Sequence, residues 1–377
     1  MASPSTDRCQ VCSKQSHGIH FGAITCRACA AYFRRAILKK YVELECWNGD
    51  EKCVNQSELC KKCRLDKCLK AGMTEDRLQL GRDPMSSTVK HSIPRPSLII
   101  CSTSETTNQL NIDFTKLIEK ASTILSTTSN TQTGIKPLSQ LTNALTNSSE
   151  MSESPKLCEK FGRTENLTIW EINFLKVTHW FRHCGKFQEL PLNKRIEFLK
   201  CVWVSWSKLN NSAMTASRKL ENGSMDSKEI HLSDEYVIDV DKVELDTSWF
   251  SKENFLGSIQ QFYVPKIIDE LIIFRRSPQE TTYMLAVFSF RHAANIFRED
   301  FEELSENMIQ ILADDLHDYY INDMKIQQYA QRIAQSLKIV NIMERNHHER
   351  TEKFELARMF DVIKVDFSHP ELIYGKK

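Results

Sequence analysis

The spacing of nine cysteines near the N-terminus is the feature that most constrains this 377-residue chain. Four of them form two pairs, each pair separated by two residues, with thirteen residues between the pairs. Two such pairs offer four thiolates to one tetrahedral zinc ion. A second group of four follows with spacings of six, six and two residues, which leaves Cys68 over. The predicted zinc ligands are Cys9, Cys12, Cys26 and Cys29 in the first group and Cys46, Cys53, Cys60 and Cys63 in the second.

All-cysteine ligand sets indicate structural rather than catalytic zinc, because no coordination position stays open for a water molecule. The other four of the 13 cysteines are scattered beyond residue 100 and need no special role. A thioredoxin-like redox use of the paired cysteines is a weak alternative, since the pairs are not set in a βαβ pattern. The sequence therefore predicts two structural zinc ions.

The segment 26–41, CRACAAYFRRAILKKY, predicts a basic amphipathic helix that starts at a zinc ligand. Phe33, Ile37 and Tyr41 fall on one face. The DNA major groove accommodates one helix, so that early residues reach base edges and later basic residues contact phosphates. The predicted phosphate contacts are Arg34 and Arg35 on this helix and Lys61, Lys62 and Arg64 in a second basic segment.

The charge distribution agrees with binding to a polyanion. Residues 8–70 contain 13 Lys and Arg against 6 Asp and Glu, a formal charge of +7, whereas the whole chain carries +1. Only this basic head is therefore expected to meet double-stranded DNA. Two alternatives stay open: a solvated basic face on a structural domain, and a zinc module that binds protein.

The chain is predicted to contain a zinc module over residues 6–82, a flexible linker over 83–108 and a helical domain over 109–377. The linker prediction rests on three prolines, many Ser and Thr, and the absence of Phe, Trp and Tyr between residues 83 and 108. No apolar stretch is long enough to span a bilayer, and no secretory signal opens the chain, so an intracellular protein is expected.

Helical periodicity dominates the predicted C-terminal domain. A short helix is expected between Ile112 and Leu125, followed by a non-helical Ser/Thr/Asn-rich stretch to about Glu153. Thr168 and Glu171 resemble a capping box that starts a long helix. Partial alternation over Tyr236–Val243 is the only β-like stretch, so at most one small hairpin is expected. Further helices are predicted over residues 262–274, 281–297, 303–319 and 323–349.

The N-terminal residues resemble the DNA-binding domain of nuclear hormone receptors. The resemblance rests on both cysteine groups, HFG at 20–22, YFRR at 32–35 and CRLDKCLKAGM at 63–73. The segment 26–35, CRACAAYFRR, is similar to sequences of a divergent nematode branch of that family. The resemblance implies one zinc ion per group and Cys68 as a non-ligand. It also implies the base-reading residues Arg27, Ala28, Ala30 and Ala31.

Two differences from the family pattern limit which DNA-binding properties the resemblance implies for this chain. Ala30 stands where the family usually has lysine, and Arg27 stands where an acidic residue is common. The family's usual second-group spacings are nearer five and nine residues than six and six. No familiar response element is therefore assigned, and monomeric and dimeric DNA binding both stay open.

Residues 187–206 resemble, more loosely, the signature of the nuclear receptor ligand-binding domain. This implies an all-α three-layer helical sandwich around a lipophilic pocket, with Arg182 and Lys200 clamping a transcriptional coregulator. It also implies pairing of two receptors through the helix 323–349, and an activation helix near Glu371 that is only faintly indicated. The large apolar residues of this domain fit a filled core equally well.

These observations predict a nuclear transcription factor that reads DNA through a zinc-stabilised helix and regulates RNA polymerase II transcription through its helical domain, with or without a ligand. The expected partners are DNA, coregulators, a lipophilic small molecule and a second receptor as homodimer or heterodimer, with no membrane. The main alternative is a zinc-module adaptor that binds protein without reading DNA. An enzyme is not expected, because no nucleophile, base and orienting group can be assembled.

Overall fold

The computed structural model describes residues 8–16, 18–38, 46, 60–74, 93–103, 110–127, 134–150, 155–246, 261–360 and 365–375. The chain divides into two compact units, Met1–Lys90 and His91–Lys377. The predicted zinc ligand Cys53 lies outside the described residues, as do residues 83–92 and 104–108 of the predicted linker.

The described residues of the first unit form a small hairpin and two helices. Strands β1 (Ile19–His20) and β2 (Ala23–Ile24) pair antiparallel through a two-residue turn. Phe21 and Gly22 both have positive φ angles in that turn, as a hairpin turn of the primed type requires, and glycine adopts such a φ without steric cost. Helices α1 (Arg27–Leu38) and α2 (Lys61–Lys70) pack against each other on an apolar core that includes Phe33.

The second unit is mainly helical, as predicted. Its helices are α3 (Thr115–Ser126), α4 (Pro137–Glu150), α5 (Arg163–Phe181), α6 (Gly185–Gln188), α7 (Leu192–Glu221), α8 (Pro265–Phe274), α9 (Pro278–Phe297), α10 (Glu302–Asp318), α11 (Ala330–Met359) and α12 (Glu371–Tyr374). A 3₁₀ turn, Arg298–Asp300, precedes α10, and a π-helical turn, Tyr319–Asp323, follows it. Among the described helices, none has the length and apolar character that a bilayer span requires.

Helices α7 and α9 form the middle of the helical unit. Helix α7 packs against α3, α5, α8 and α9, while α9 also packs against α4, α10 and α11. Both central helices bury residues on most of their faces, as expected of a helix with neighbours on several sides. Aromatic rings link the layers, with Trp203 of α7 meeting Trp170 and Phe174 of α5 edge to face.

Short strands complete the second unit in greater number than the one predicted hairpin. Strands β3 (Ile100–Thr103), β4 (Leu110–Asp113) and β10 (Val365–Phe367) form a sheet in which β10 pairs parallel to β4. Strand β8 (Tyr236–Asp239) lies in the stretch predicted to be β-like, and it pairs with β7 (Glu229–His231) in a hairpin and with β5 (Lys156–Leu157) on its other edge. Strands β6 (Lys160–Phe161) and β9 (Glu244–Leu245) pair parallel.

The prediction of a flexible linker differs from the structure at residues 93–103. Ile93 and Ile99 are fully buried in the core of the helical unit. The carboxylate of Glu171 accepts hydrogen bonds from the backbone N–H groups of Ser97 and Leu98 at 3.0 and 2.8 Å. Two buried isoleucines and one buried carboxylate therefore hold this segment against the helical unit, although its composition is typical of a linker.

The predicted capping box at Thr168 and Glu171 was wrong. Helix α5 begins five residues earlier at Arg163, where the Glu165 carboxylate accepts the N–H of Gly162 at 2.9 Å. Thr168 lies inside the helix and donates its hydroxyl to the carbonyls of Pro94 and Thr164. Helix α4 was also missed, because its Ser, Thr and Asn residues favour turns unless tertiary contacts override them.

Candidate zinc centres and nucleic-acid interface

The first cysteine group is assembled as the spacing predicted. The sulfur atoms of Cys9, Cys12, Cys26 and Cys29 all lie within 4.8 Å of one another, and those of Cys12 and Cys26 are 3.6 Å apart. Four sulfurs around a tetrahedral zinc ion at ~2.3 Å lie about 3.8 Å from one another. The donor set therefore fits a structural zinc ion held between the N-terminal turn, which carries Cys9 and Cys12, and the start of α1.

The described members of the second group meet in the same way. The sulfur of Cys46 lies 3.7 Å from that of Cys60 and 3.5 Å from that of Cys63. The Cys60 sulfur also accepts the N–H of Cys63 and caps α2, so this helix begins at the metal site. Three thiolates in place fit the second structural zinc ion, with Cys53 as the predicted fourth ligand.

Helix α1 presents an exposed face directly after the first zinc site. Arg27, Ala28 and Ala31 are exposed there, and Arg35 is exposed one turn further along. Ala30 is buried against the core of the unit, so it offers no side chain to the surface. Small side chains on this face allow the helix backbone to approach a groove closely, while Arg27 and Arg35 supply positive charge at either end.

The predicted phosphate residues are not equivalent in the structure. Lys61 and Lys62 lie at the start of α2, where Lys62 forms an i, i+4 ion pair with Asp66 at 3.4 Å. Arg34 is half-buried, with its guanidinium 5.9 Å from the ring centre of Phe21. All three side chains retain surface on the basic head.

Arg64 differs from the other predicted phosphate contacts. Its Nη2 atom donates to the Cys29 sulfur at 3.5 Å, and its guanidinium lies 4.4 Å from the ring centre of Tyr32. The Tyr32 hydroxyl in turn donates to the backbone carbonyl of Lys61. Arg64 therefore links α2 to a zinc ligand of the first group, and its positive charge interacts with Cys29 and Tyr32 inside the unit.

Large apolar side chains fill much of the interior among the described residues of the helical unit. Six large aromatic residues of this interior are buried: Trp170, Phe174, Phe181, Trp203, Phe288 and Phe290. A cavity of about 10 Å³ remains between α5, α7, α11 and α12, which is room for about one water molecule. A larger ligand requires these walls to move apart.

The C-terminal helix α12 is seated on α7. Lys200 of α7 donates to the Glu371 carboxylate at 2.7 Å and lies 3.2 Å from Nδ1 of His369. The Trp203 indole donates to the carbonyl of Leu372 at 2.9 Å. The predicted coregulator contact Lys200 therefore has an intramolecular partner, while the other, Arg182, lies half-buried at the end of α5.

Two family models match separate parts of the chain. A family model described as a double treble clef zinc finger of the C4 type matches residues 7–75. A second, described as the ligand-binding domain of nuclear hormone receptor, matches residues 151–360. This chain belongs to the nuclear hormone receptor family.

Relatives of this receptor in Caenorhabditis elegans align over almost its whole length. Nuclear hormone receptor family member nhr-130 is 34% identical over 97% of this chain and 91% of its own length. Members nhr-18 and nhr-103 are 33% and 31% identical, each over 97% of this chain and 96% of their own. The family comprises transcription factors rather than enzymes, and this receptor has its zinc-stabilised DNA-binding domain and its helical ligand-binding domain.

The sequence did not predict one group of polar residues, which lies around the small cavity of the helical unit. Arg350 of α11 is buried, and it lines the cavity together with Ser207 and Asn211 of α7. A signal was present, because Met343, Arg350 and Phe354 follow the 3.6-residue period of the buried face of α11. A cation at an apolar position of a helical repeat is the pattern that would have identified the residue.

Proposed function

We propose that this receptor acts in the nucleus by inserting the exposed face of α1 into the DNA major groove. The observation that carries the proposal is the exposure of Arg27, Ala28 and Ala31 on the first turns of a helix anchored by a zinc ligand. Arg27 is the proposed base reader, because an arginine side chain makes bidentate hydrogen bonds to guanine in this groove. Ala30 is buried and belongs to the support of the helix.

The proposed phosphate contacts are Arg34, Arg35, Lys61 and Lys62. They supply affinity without reading sequence, and each neutralised phosphate releases counterions, so binding weakens as salt increases. The helical domain is the proposed regulatory part. Coregulators are expected around Arg182 and Lys200, and a second receptor chain is a further proposed partner.

Replacing Arg34 and Arg35 together with alanine tests the interface in the full-length receptor. Binding to duplex DNA selected from a random pool is measured by fluorescence anisotropy across a salt series. Loss of two phosphate contacts should make the slope of log K against log [salt] shallower by about 1.8. Lys353→Ala, an exposed change on α11, is the matched control and should leave the slope unchanged.

The same assay separates DNA reading from an adaptor role. Arg27→Ala should reduce the preference for the selected sequence over unrelated DNA, by a factor of about 10 for a lost bidentate contact. If the wild-type receptor shows no preference among DNA sequences, and the double variant leaves the salt slope unaltered, the zinc module is a protein-binding adaptor and the proposal fails.

A further inference from the structure

One buried carboxylate holds the chain near the start of the helical unit. Glu171 of α5 is 9% exposed. Its oxygens accept the backbone N–H groups of three consecutive residues, Ser97, Leu98 and Ile99, at 2.8–3.3 Å. Strand β3 starts at the next residue, Ile100. Loss of this carboxylate would therefore leave three backbone donors without their acceptor directly before β3.

Strand β4 lies between this N-terminal strand and the C-terminal strand β10. Strand β3 pairs antiparallel with one edge of β4, and β10 pairs parallel with the other edge. Ser368, which follows β10, donates its backbone N–H to the carbonyl of Ile112 at 3.1 Å, and its hydroxyl accepts the N–H of Phe114 at 2.8 Å. Two paired strands are marginally stable alone and need a third strand or a helix. The pairing of β3 is therefore expected to depend on β10.

Four aromatic rings connect the same two parts of the chain through the core. The ring of Phe114 stacks on those of Phe367 in β10 and Trp170 in α5, with ring centroids 6.0 and 6.2 Å apart. Trp170 directly precedes the buried carboxylate and meets Trp203 of α7 edge to face. The Trp203 indole donates to the carbonyl of Leu372 in α12 at 2.9 Å. The segment before β3 and helix α12 thus share one connected set of packing partners.

We propose that β3, β4, β10 and α12 form a cooperative latch, in which residues 97–103 and 365–375 open and close together. Each end supplies contacts that the other end needs, so displacement of α12 from α7 frees residues 97–103. The coupling is reciprocal in free energy, and loosening of residues 97–103 weakens the seat of α12 by the same amount. Whatever displaces α12 therefore also lengthens the free chain that precedes the helical unit, by up to roughly 3.5 Å for each released residue.

The latch is a property of the helical unit and does not depend on the proposed DNA interface. Its two ends belong to one local unfolding unit, which opens at a lower free energy than the core of the same unit. Amide exchange measures such openings residue by residue, and equal changes at two distant segments are the sign that they open as one.

Exchange of backbone amides in deuterated water, followed by mass spectrometry on the full-length receptor, tests the latch from both ends. Ser368→Ala removes the acceptor of the Phe114 N–H. Exchange in residues 99–103 and 371–375 should then become about fivefold faster, as expected for one lost hydrogen bond. Glu171→Ala removes several hydrogen bonds at the other end and should speed exchange at least about tenfold, by the same factor in both segments. Amides of α9 report global unfolding and should exchange as in the wild type.

Two exposed changes are the matched controls. Thr123→Ala removes a hydroxyl from α3, and Glu355→Ala removes a carboxylate from α11. Both segments should exchange at wild-type rates in these variants. If Glu171→Ala does not fold, Glu171→Gln keeps one acceptor oxygen and should give a smaller increase, again equal in the two segments.

Three results would overturn the latch. Faster exchange only in the segment next to the substitution would mean that the two segments open independently. An equal increase in the amides of α9 would mean that only global unfolding exposes them. Unchanged exchange in both segments of both variants would mean that these hydrogen bonds do not control the opening.

Discussion

At the scale of single residues, the sequence shows which side chains are charged but not which groups they contact. The cysteine spacing predicted the first zinc site completely, because ligand identity and spacing determine which sulfurs can meet. Arg64, in contrast, cannot be distinguished by sequence from the other basic residues of α2. Its contact with Cys29 depends on the packing of α2 against α1, which no local pattern encodes.

Arg64→Gln is expected to weaken the first zinc site rather than the DNA contacts. Removing a hydrogen bond to a ligating sulfur typically lowers metal affinity by about 10-fold or more. Competition with a chromogenic chelator measures this, and the salt slope of DNA binding should stay the same. Lys62→Gln on the same helix is the control, with unchanged zinc affinity and a shallower salt slope. The opposite pattern would restore Arg64 to the phosphate contacts.

At the scale of elements, long apolar helices were predictable and polar or very short elements were not. Helices α7, α9 and α11 have buried residues at helical spacing, so their existence follows from periodicity. Helix α4 and the strands of two to four residues lack such a signal, because distant chain segments stabilise them. Glu171 is an example of such a distant contact, since its carboxylate accepts a hydrogen bond from the backbone N–H of Ser97, more than 70 residues away.

The attachment of α12 to α7 should depend on pH through Glu371. Burial alone would raise the pKa of this carboxyl, but the hydrogen bond and charge of Lys200 outweigh it, and the pKa lies below its ordinary value. The stabilisation is therefore present above the unfolded-state pKa of about 4.3 and is lost as pH falls through the lower folded-state value.

Glu371→Gln should lower the melting temperature of the helical unit by about 2 °C at pH 7, as expected for a partly exposed ion pair worth about 1 kcal/mol. The difference from wild type should shrink as pH falls towards 4. Glu352→Gln, an exposed change on α11, is the control and should have no effect. A difference that persists unchanged at low pH would mean that Glu371 acts through packing and not through its charge.

At the scale of the whole molecule, the zinc module and the helical unit are expected to be stabilised in different ways. A short zinc module has too little apolar core to fold without its metal, whereas the helical unit has an extensive core of its own. The boundary was less predictable, because the segment 93–103 has the composition of a linker and the contacts of a core element.

Cys26→Ser, or a strong chelator, should unfold the zinc module and leave the helical unit folded. DNA binding should be lost, while far-UV circular dichroism keeps most of its helical signal and the main thermal transition keeps its midpoint. Cys68→Ser is the comparison, because Cys68 is not a predicted ligand. Sequence-selective DNA binding by the Cys26→Ser variant would contradict the metal-dependent interface.

The parallel pairing of β10 with β4 has a consequence for synthesis. Ser368 and Phe114, which meet where these strands end, are 254 positions apart. At ribosomal rates this separation corresponds to roughly 10–50 s, during which one edge of β4 waits without its partner. An unpaired strand edge invites pairing with other chains. The helical unit is thus expected to depend on chaperones while it is being translated, whereas the zinc module, complete within its first 75 residues, can acquire its metal long before.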